Sequence, residues 1–298
     1  LAVIIIGLSF LTYLLMYISP GDPALKKLNA QGISVSEETL EAAREEMGLN
    51  EPFLVRYAQW LGNALTGDLG TSYKDGLPVA DKLVHALRYT LILSVGSLAV
   101  SLIAALPLSV ISAVRKDGLL DNVVRFLSFI GNSLPNFLIS VLLMYFFCIR
   151  TKLLPVIAEE NLKGLIMPCL ALAIPMCSRF IRQFRAEILE QLGRDYVLGA
   201  RARGVNSLTI LFKNVLHNAM IPILTIIALS VGTLLGGSVV VETIFRWPGL
   251  GKLVMDSISV RDYPVIQGFV IFTSCVYVLI TLAADICYRR LDPRVEEM

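Results

Sequence analysis

The chain has 298 residues, of which 55% are hydrophobic and only 17% charged, and its mean hydropathy is +0.70. Soluble domains carry about 25% charged residues, so this composition excludes an ordinary soluble fold, and it excludes disorder and collagen too. The formal net charge of +2 gives no argument for nucleic acid binding. The five cysteines lie in or beside apolar runs without a CxxC pair, so we expect neither a disulfide framework nor a zinc site.

Long stretches of the chain carry no charged residue. About 20 apolar residues are needed to cross roughly 30 Å of hydrocarbon, and five uncharged stretches meet that length, while a sixth at 164–178 is marginal. The sequence therefore predicts an all-α polytopic membrane protein with six transmembrane helices. These predicted spans are 1–18, 89–114, 126–149, 164–182, 218–241 and 264–286.

The first span precedes a long polar segment, 19–88. Residues 1–18 exceed the roughly 7–15 apolar residues of a signal peptide, and no small-x-small cleavage site follows, so we interpret them as a retained helix. In the polar segment, Ser34 and Glu37 have capping-box spacing before a helix that ends at Gly48. Pro52 suits the first turn of a second, amphipathic helix. Its apolar face is predicted to contain Phe53, Tyr57, Trp60 and Leu61.

The orientation follows from the density of lysine and arginine. Basic residues are almost twice as dense in 115–125, 179–217 and 289–298 as in the segments on the other side. Positive charge favours the cytoplasmic side, so we expect both termini in the cytoplasm. The segment 19–88 is then an extracytoplasmic helical segment, and 242–263 is an extracytoplasmic loop.

Several polar residues fall inside the predicted spans, where they are costly unless they face water or protein. They are candidates for a translocation path, although serine and threonine also serve in helix packing, and Arg179 also suits an anchor at the interface. The candidates are Asn132, Ser133, Asn136, Arg179, Ser230, Thr233 and Ser238.

The cytoplasmic segment 183–217 carries the signals of a helix–turn–helix. Asp195 can cap a short helix that Gly204 ends, and Asn206 or Ser207 can cap a second helix with the sequence LTILFKNVLH.

The first of these helices has a face with little side-chain bulk. Ala200 and Gly204 are four residues apart, so they share that face, and Arg201 and Arg203 flank it with donors suited to carboxylates. Such a helix fits either a docking surface for another protein or an amphipathic helix lying on lipid.

The stretch DYVLGARARGVNSLTILFKNVLHNAMIP, from Asp195 to Pro222, resembles the coupling-helix loop of ABC importer permeases of the dipeptide/oligopeptide/nickel group. Leu198 and Gly199 depart from the Glu-Ala of the generic importer pattern and suit this branch. Further motifs in the same order resemble the family along nearly the whole chain. They are PGDP at 20–23, GLNEPFLVRYAQWL at 48–61, GDLGTSY at 67–73, SLPNF at 133–137, WPGLGKL at 247–253, RDYPVIQG at 261–268 and LDPR at 291–294.

The resemblance implies a type I ABC importer-like subunit of the bacterial cytoplasmic (inner) membrane, with 1–298 forming one permease domain. It implies as partners a second homologous permease, two cytoplasmic ABC ATPases and an extracytoplasmic substrate-binding protein. ATP and Mg²⁺ would bind the ATPases, and this chain would hold no cofactor and catalyse no reaction. The implied coupling residues are Asp195, Tyr196, Ala200, Arg201, Arg203 and Gly204.

Peptide and nickel or metal chelate remain open as substrates. The only histidines, His85 and His217, belong to opposite predicted sides, so the chain cannot assemble a tight histidine site for nickel.

Other functional classes lack their sequence signals. WPGLGKL lacks the first glycine and the Ser or Thr of a phosphate-binding loop, so we expect no nucleotide site in it. An ion-driven secondary transporter would show inverted repeats and midplane ionisable residues, and an intramembrane enzyme would need a nucleophile–base or metal constellation. The sequence shows none of these.

Overall fold

The computed structural model describes residues 2–30, 35–158 and 160–291, and their regular structure is helical apart from one isolated bridge between Thr71 and Pro78. The predicted all-α class is therefore confirmed. The first helices are α1 Ala2–Ile18, α2 Pro23–Ala30, α3 Glu37–Glu46, α4 Phe53–Leu65, α5 Val79–Val114, α6 Leu119–Ser133 and α7 Asn136–Met144, which continues as a π-helix over Tyr145–Arg150. The others are α8 Leu162–Leu192, α9 Asp195–Ala202, α10 Ser207–Thr209, a π-helical turn Ile210–Val215, α11 Leu216–Phe245, α12 Leu250–Val260 and α13 Tyr263–Leu291.

Four described helices are long and apolar enough to cross a membrane: α5, α8, the continuous α10–α11 segment and α13. They correspond to the second, fourth, fifth and sixth predicted spans. The first predicted span forms α1, which is a shorter apolar helix of 17 residues. The third is a broken pair, because α6 and α7 meet at an angle of 100°.

Pro135 explains the break in the third predicted span. Proline has no N–H to donate and restricts the residue before it to extended backbone. Leu134 accordingly adopts φ −82° and ψ 128°, and Pro135 precedes the first residue of α7. The third predicted span, 126–149, therefore consists of two helices joined at a bend, and its crossing of the membrane stays a prediction.

The segment 183–217 is more helical than predicted. The helix α8 continues to Leu192, and the predicted second short helix is the beginning of the long segment that includes α11. Arg194, and not Asp195, occupies the N-cap of α9, while Asp195 lies in the first turn, where its negative charge suits the helix dipole. Gly204 ends the helix region with φ +76°, and the Asn206 side chain accepts a hydrogen bond from the Leu208 N–H, both as predicted.

The structure divides into two compact units, and the expected single permease domain over 1–298 stays a prediction. The N-terminal unit comprises 1–90 and 248–278, and the central unit comprises 91–247 and 279–298. Ser34 and residues 292–294 of the LDPR motif lie outside the described residues.

Aromatic rings join α1 and α4 in the N-terminal unit. Phe10 meets Tyr57 edge-to-face at 5.2 Å between ring centroids, and Phe53 and Trp60 pack on Tyr13 of α1. The Tyr57 hydroxyl also donates to the Ile6 carbonyl at 3.2 Å. The predicted apolar face of α4 is therefore the face that packs on α1.

The capping box of α3 is displaced from its predicted place. It is formed by Ser36 and Thr39, whose side chains bond each other's backbone N–H, in place of the predicted pair of Ser34 and Glu37. The helix ends as predicted, with Gly48 at φ +62°.

The core of the central unit is built on α8. Phe180 and Phe184 stack with 5.1 Å between centroids, and both are fully buried together with Ile188. Val197 of α9 and Val215 belong to the same buried cluster. The short helix α9 thereby shares a buried core with α8, and the π-helical turn Ile210–Val215 packs against both helices.

A buried ion pair crosses the same unit. The Arg185 guanidinium donates to both carboxylate oxygens of Asp121, at 2.7 Å from Nε and 2.6 Å from Nη2. Asp121 is fully buried, and it also accepts from the Ser112 hydroxyl and the Asp117 N–H. These hydrogen bonds compensate for the desolvation of the two charges.

We expect Asp121→Asn to lower the free energy of unfolding by about 3–5 kcal/mol, because it leaves the half-buried Arg185 guanidinium without a counter-charge. Thermal unfolding in detergent measures the change. Glu190→Gln is the control, since the pair between Glu190 of α8 and Arg194 at the N-cap of α9 is exposed and worth about 0–1 kcal/mol. Equal stability of the two variants would contradict the role of Asp121.

Close packing of α6 on α8 depends on Gly131. A Cβ there would lie 2.2 Å from the Ser178 Oγ, whereas a Cβ at Gly62 of α4 would meet no atom within 4 Å.

We expect Gly131→Ala to destabilise the protein and Gly62→Ala to stabilise it by up to about 1 kcal/mol, through helix propensity alone. Adding Ser178→Ala should restore the Gly131→Ala variant in the same unfolding measurement. Failure of this rescue would show that the contact is not the cause.

Candidate functional site

The residues implied in coupling lie on and after α9, at different depths. Ala200 is buried with Val197 in the core of the central unit. Tyr196 is half-buried and its hydroxyl donates to the Gln191 side chain at 3.1 Å. The exposed members are Asp195, Arg201, Arg203 and Gly204. The small face containing Ala200 therefore packs partly against the chain itself, and the charged residues form the outer side.

Sequence reasoning missed the apolar residues beside these charges. Leu198 on α9 is 59% exposed, and Leu208 and Phe212 in the following segment are each 63% exposed. Exposed apolar side chains next to arginines are typical of protein interfaces. The signal in the sequence was Leu198 itself, which replaces the glutamate of the generic importer pattern. We call Leu198, Arg201, Arg203, Leu208 and Phe212 the coupling face.

The candidate path residues divide into buried and exposed groups. Ser230 is buried and donates to the Ile226 carbonyl in its own helix, and Ser238 is fully buried. Such contacts fit helix packing. Asn136 is half-buried in the first turn of α7.

The exposed candidates are Asn132, Ser133, Arg179 and Thr233. The break between α6 and α7 places Asn132 and Ser133 at a bend, where the helical hydrogen-bond pattern is interrupted. Ser133 and Thr233 donate their hydroxyl hydrogens to carbonyls of their own helices. Asn132 and Arg179 carry exposed amide and guanidinium groups, and their place in a translocation path stays a prediction.

Motifs far apart in the sequence meet in the N-terminal unit. Asp262 of RDYPVIQG is buried and accepts hydrogen bonds from the Ser72 hydroxyl and the Tyr73 N–H of GDLGTSY. Arg261, at φ +58°, extends its guanidinium to the carbonyls of Ser19 and Gly21 beside PGDP. The adjacent residues Arg261 and Asp262, which lie between the end of α12 and the start of α13, thus bind two other loops.

Gly21 and Asp22 show why PGDP has its residue types. A Cβ on Gly21 would lie 2.9 Å from the Arg261 Cζ, and the backbone there has φ +115°, which favours glycine. Asp22 accepts from the Ala24 N–H at the start of α2 and from the Arg44 guanidinium of α3. The motif therefore joins three neighbouring elements.

The Gly-Lys pair of WPGLGKL lies in a helix. Gly249 is the N-cap of α12, the Leu250 N–H donates to the Thr90 hydroxyl, and Lys252 pairs with Asp256. This segment is the first turn of an amphipathic helix and has no phosphate-loop geometry.

Comparison with known proteins assigns the family. Residues 105–297 match the model of the binding-protein-dependent transport system inner membrane component, and residues 1–94 match its companion N-terminal membrane-component model. The chain is similar to the probable peptide ABC transporter permease protein y4tP of Sinorhizobium fredii, with 38% identity over 95% of this chain and 92% of the relative. It is equally similar to the nickel import system permease protein NikB of Staphylococcus aureus, with 38% identity over 98% of this chain and 88% of the relative.

The fold agrees with a solved transporter. The structure described as inward facing conformations of the MetNI methionine ABC transporter aligns with a TM-score of 0.59 and 18% identity, over 71% of this chain and 96% of that chain. This likeness supports the fold alone. The family models and the permease relatives favour the importer interpretation over the ion-driven secondary transporter. The chain belongs to the family of binding-protein-dependent transport system inner membrane components, the permeases of ABC importers.

Proposed function

We propose that the chain forms the translocation path of an ATP-driven importer together with a second homologous permease, and that its cargo is a small peptide or a nickel or metal chelate. The observation that carries this proposal is the 38% identity, over almost the full chain, to a peptide permease and to a nickel permease. Two ABC ATPases would supply the energy with ATP and Mg²⁺, and an extracytoplasmic substrate-binding protein would deliver the cargo. Both termini would lie in the cytoplasm of a bacterial cell.

The coupling face is the proposed contact with an ATPase. Arg201 and Arg203 would meet carboxylates of the partner, and Leu198, Leu208 and Phe212 would fill apolar pockets. Because Val197 and Ala200 belong to the same buried cluster as Phe180 and Phe184, a displacement of the face would be transmitted to α8 through that core and the turn Ile210–Val215. Motion at the ATPase would in this way reach the helices that line the path.

Uptake into proteoliposomes tests the proposed function. The chain, its partner permease and the two ATPases are reconstituted together, with the binding protein and either radiolabelled trialanine or a ⁶³Ni–histidine chelate added outside. We expect uptake of one cargo that requires ATP and the binding protein and is unchanged by ionophores. Uptake driven by an ion gradient without ATP would contradict the proposal.

Charge reversal tests the coupling face. We expect Arg201→Glu to lower ATP-driven uptake by about tenfold or more, because like charges across an interface are strongly unfavourable. Arg125→Glu is the matched control, since Arg125 is also exposed and lies on the same predicted side in α6. Uptake and cargo-stimulated ATPase rate are measured on both variants, and an equal effect of the two would exclude a specific docking role for Arg201.

A further inference from the structure

A cavity of about 890 Å³ lies entirely within the N-terminal unit. Each of the motif segments that join in that unit contributes to its wall, for example Asp22 from PGDP, Trp60 from α4, Ser72 from GDLGTSY and Tyr263 from RDYPVIQG. None of these motifs belongs to the coupling face or to the candidate path residues described above. Their convergence on one cavity indicates a binding site.

Phenols, amides, guanidinium groups and the carboxylates of Asp22 and Glu46 line this cavity. Burial raises the pKa of Tyr73 to about 12, so its hydroxyl is a neutral hydrogen-bonding group at physiological pH. Gln59, Asn63 and Gln267 add amide donors and acceptors. A wall of this kind suits a ligand with many polar atoms.

Two hydrogen-bond donors of the wall, the Trp60 indole N–H and the Arg56 guanidinium, indicate a ligand with hydrogen-bond acceptor atoms. The Trp60 Nε1 is buried and has no hydrogen-bond partner among the residues that the structure describes, and a buried donor left unpaired is costly. Arg56 interacts with the Tyr13 hydroxyl, and across the described ranges no carboxylate lies within ion-pair distance of it. Arg44, the other arginine of the wall, already binds Asp22 and Glu41.

We propose that the cavity binds a small solute that carries a carboxylate and amide or amino groups, such as a short peptide or an amino-acid metal chelate. Arg56 binds the carboxylate, and the Trp60 indole N–H donates to a second oxygen of the solute. This inference rests on the proposed function, by which cargo is released on the side of the membrane where segment 19–88 lies. The site would hold cargo between its release and its entry into the path.

The size of the cavity favours a solute over a segment of a partner protein. Small-molecule sites enclose about 300–1,000 Å³, whereas a stable protein partner buries roughly 800 Å² on each side. The cavity falls within the first range, and its wall offers groups for an acid and for amides in the same place.

Binding to the complete permease–ATPase complex without its binding protein tests the site. Equilibrium dialysis in nanodiscs compares trialanine with trialanine amide, which lacks the carboxylate, and a Ni–histidine chelate provides the second source of the same chemistry. We expect the complex to bind trialanine, the chelate or both, and the acid about tenfold more tightly than its amide if peptide binds.

Substitutions of Arg56 and Trp60 test whether these residues contact the solute. Arg56→Gln should weaken binding of the acid about tenfold and abolish its advantage over the amide, while Trp60→Phe should weaken binding of both peptides severalfold. Arg88→Gln is the control, because Arg88 is exposed in the same unit and outside the cavity. Co-purification of all subunits verifies that each variant has assembled.

Three results would overturn the proposal. The first is that no probe binds at millimolar concentration. The second is that the wild type and the Arg56→Gln and Trp60→Phe variants bind the probes equally. The third is that the two variants lose affinity for the substrate-binding protein but keep their affinity for the probes. The last result would assign the cavity to a protein segment. Each binding measurement is made on a preparation that still shows ATP-driven uptake when the binding protein is added. Failure of the proposed site is thereby distinguished from failure of the proposed function.

Discussion

The absence of water inside the bilayer is the constraint on which this structure depends. Backbone N–H and C=O groups that lose water must bond within their own segment, so each apolar stretch folds as a helix. The described residues show this in α5, α8, α11 and α13. A helix can be interrupted in such a region only where the freed groups face protein or a water-filled cavity. The break at Pro135 is therefore a candidate element of the path, because exposed Asn132 and Ser133 precede it directly.

Within each unit, a buried carboxylate organises segments that the hydrophobic effect alone would leave free to slide. Asp121 binds Arg185, Ser112 and the loop before α6 in the central unit, and Asp262 binds the loop that contains Ser72 in the N-terminal unit. Removing water from a carboxylate is costly, so such a group remains charged only when several donors surround it. Each carboxylate thereby selects one arrangement of its neighbours, Asp121 in the central unit and Asp262 next to the cavity-lining residues Ser72 and Tyr73 of the N-terminal unit.

The coupling segment shows how far local sequence signals reach. Gly204 and Asn206 act through their own backbone, and the structure has both in the predicted roles. The i, i+4 spacing places Ala200 and Gly204 on one helix face, yet the buried cluster shared with α8 decides which side of α9 faces the core. The exposed Leu198, Leu208 and Phe212 could not be assigned from periodicity, since apolar residues in a membrane protein are expected to face lipid or core.

The sequence by itself determined the helical class, the number and order of apolar segments, the turns at Gly48 and Gly204 and the family. These depend on composition, on the length of uncharged stretches and on residues that act within one turn. Only the tertiary structure decided the 100° break, the extension of α8 to Leu192, the buried position of Ala200 and the joining of PGDP, GDLGTSY and RDYPVIQG around one cavity. Those features arise from contacts between residues as far apart as Ser72 and Asp262, and no local pattern encodes which distant donor a buried carboxylate will meet.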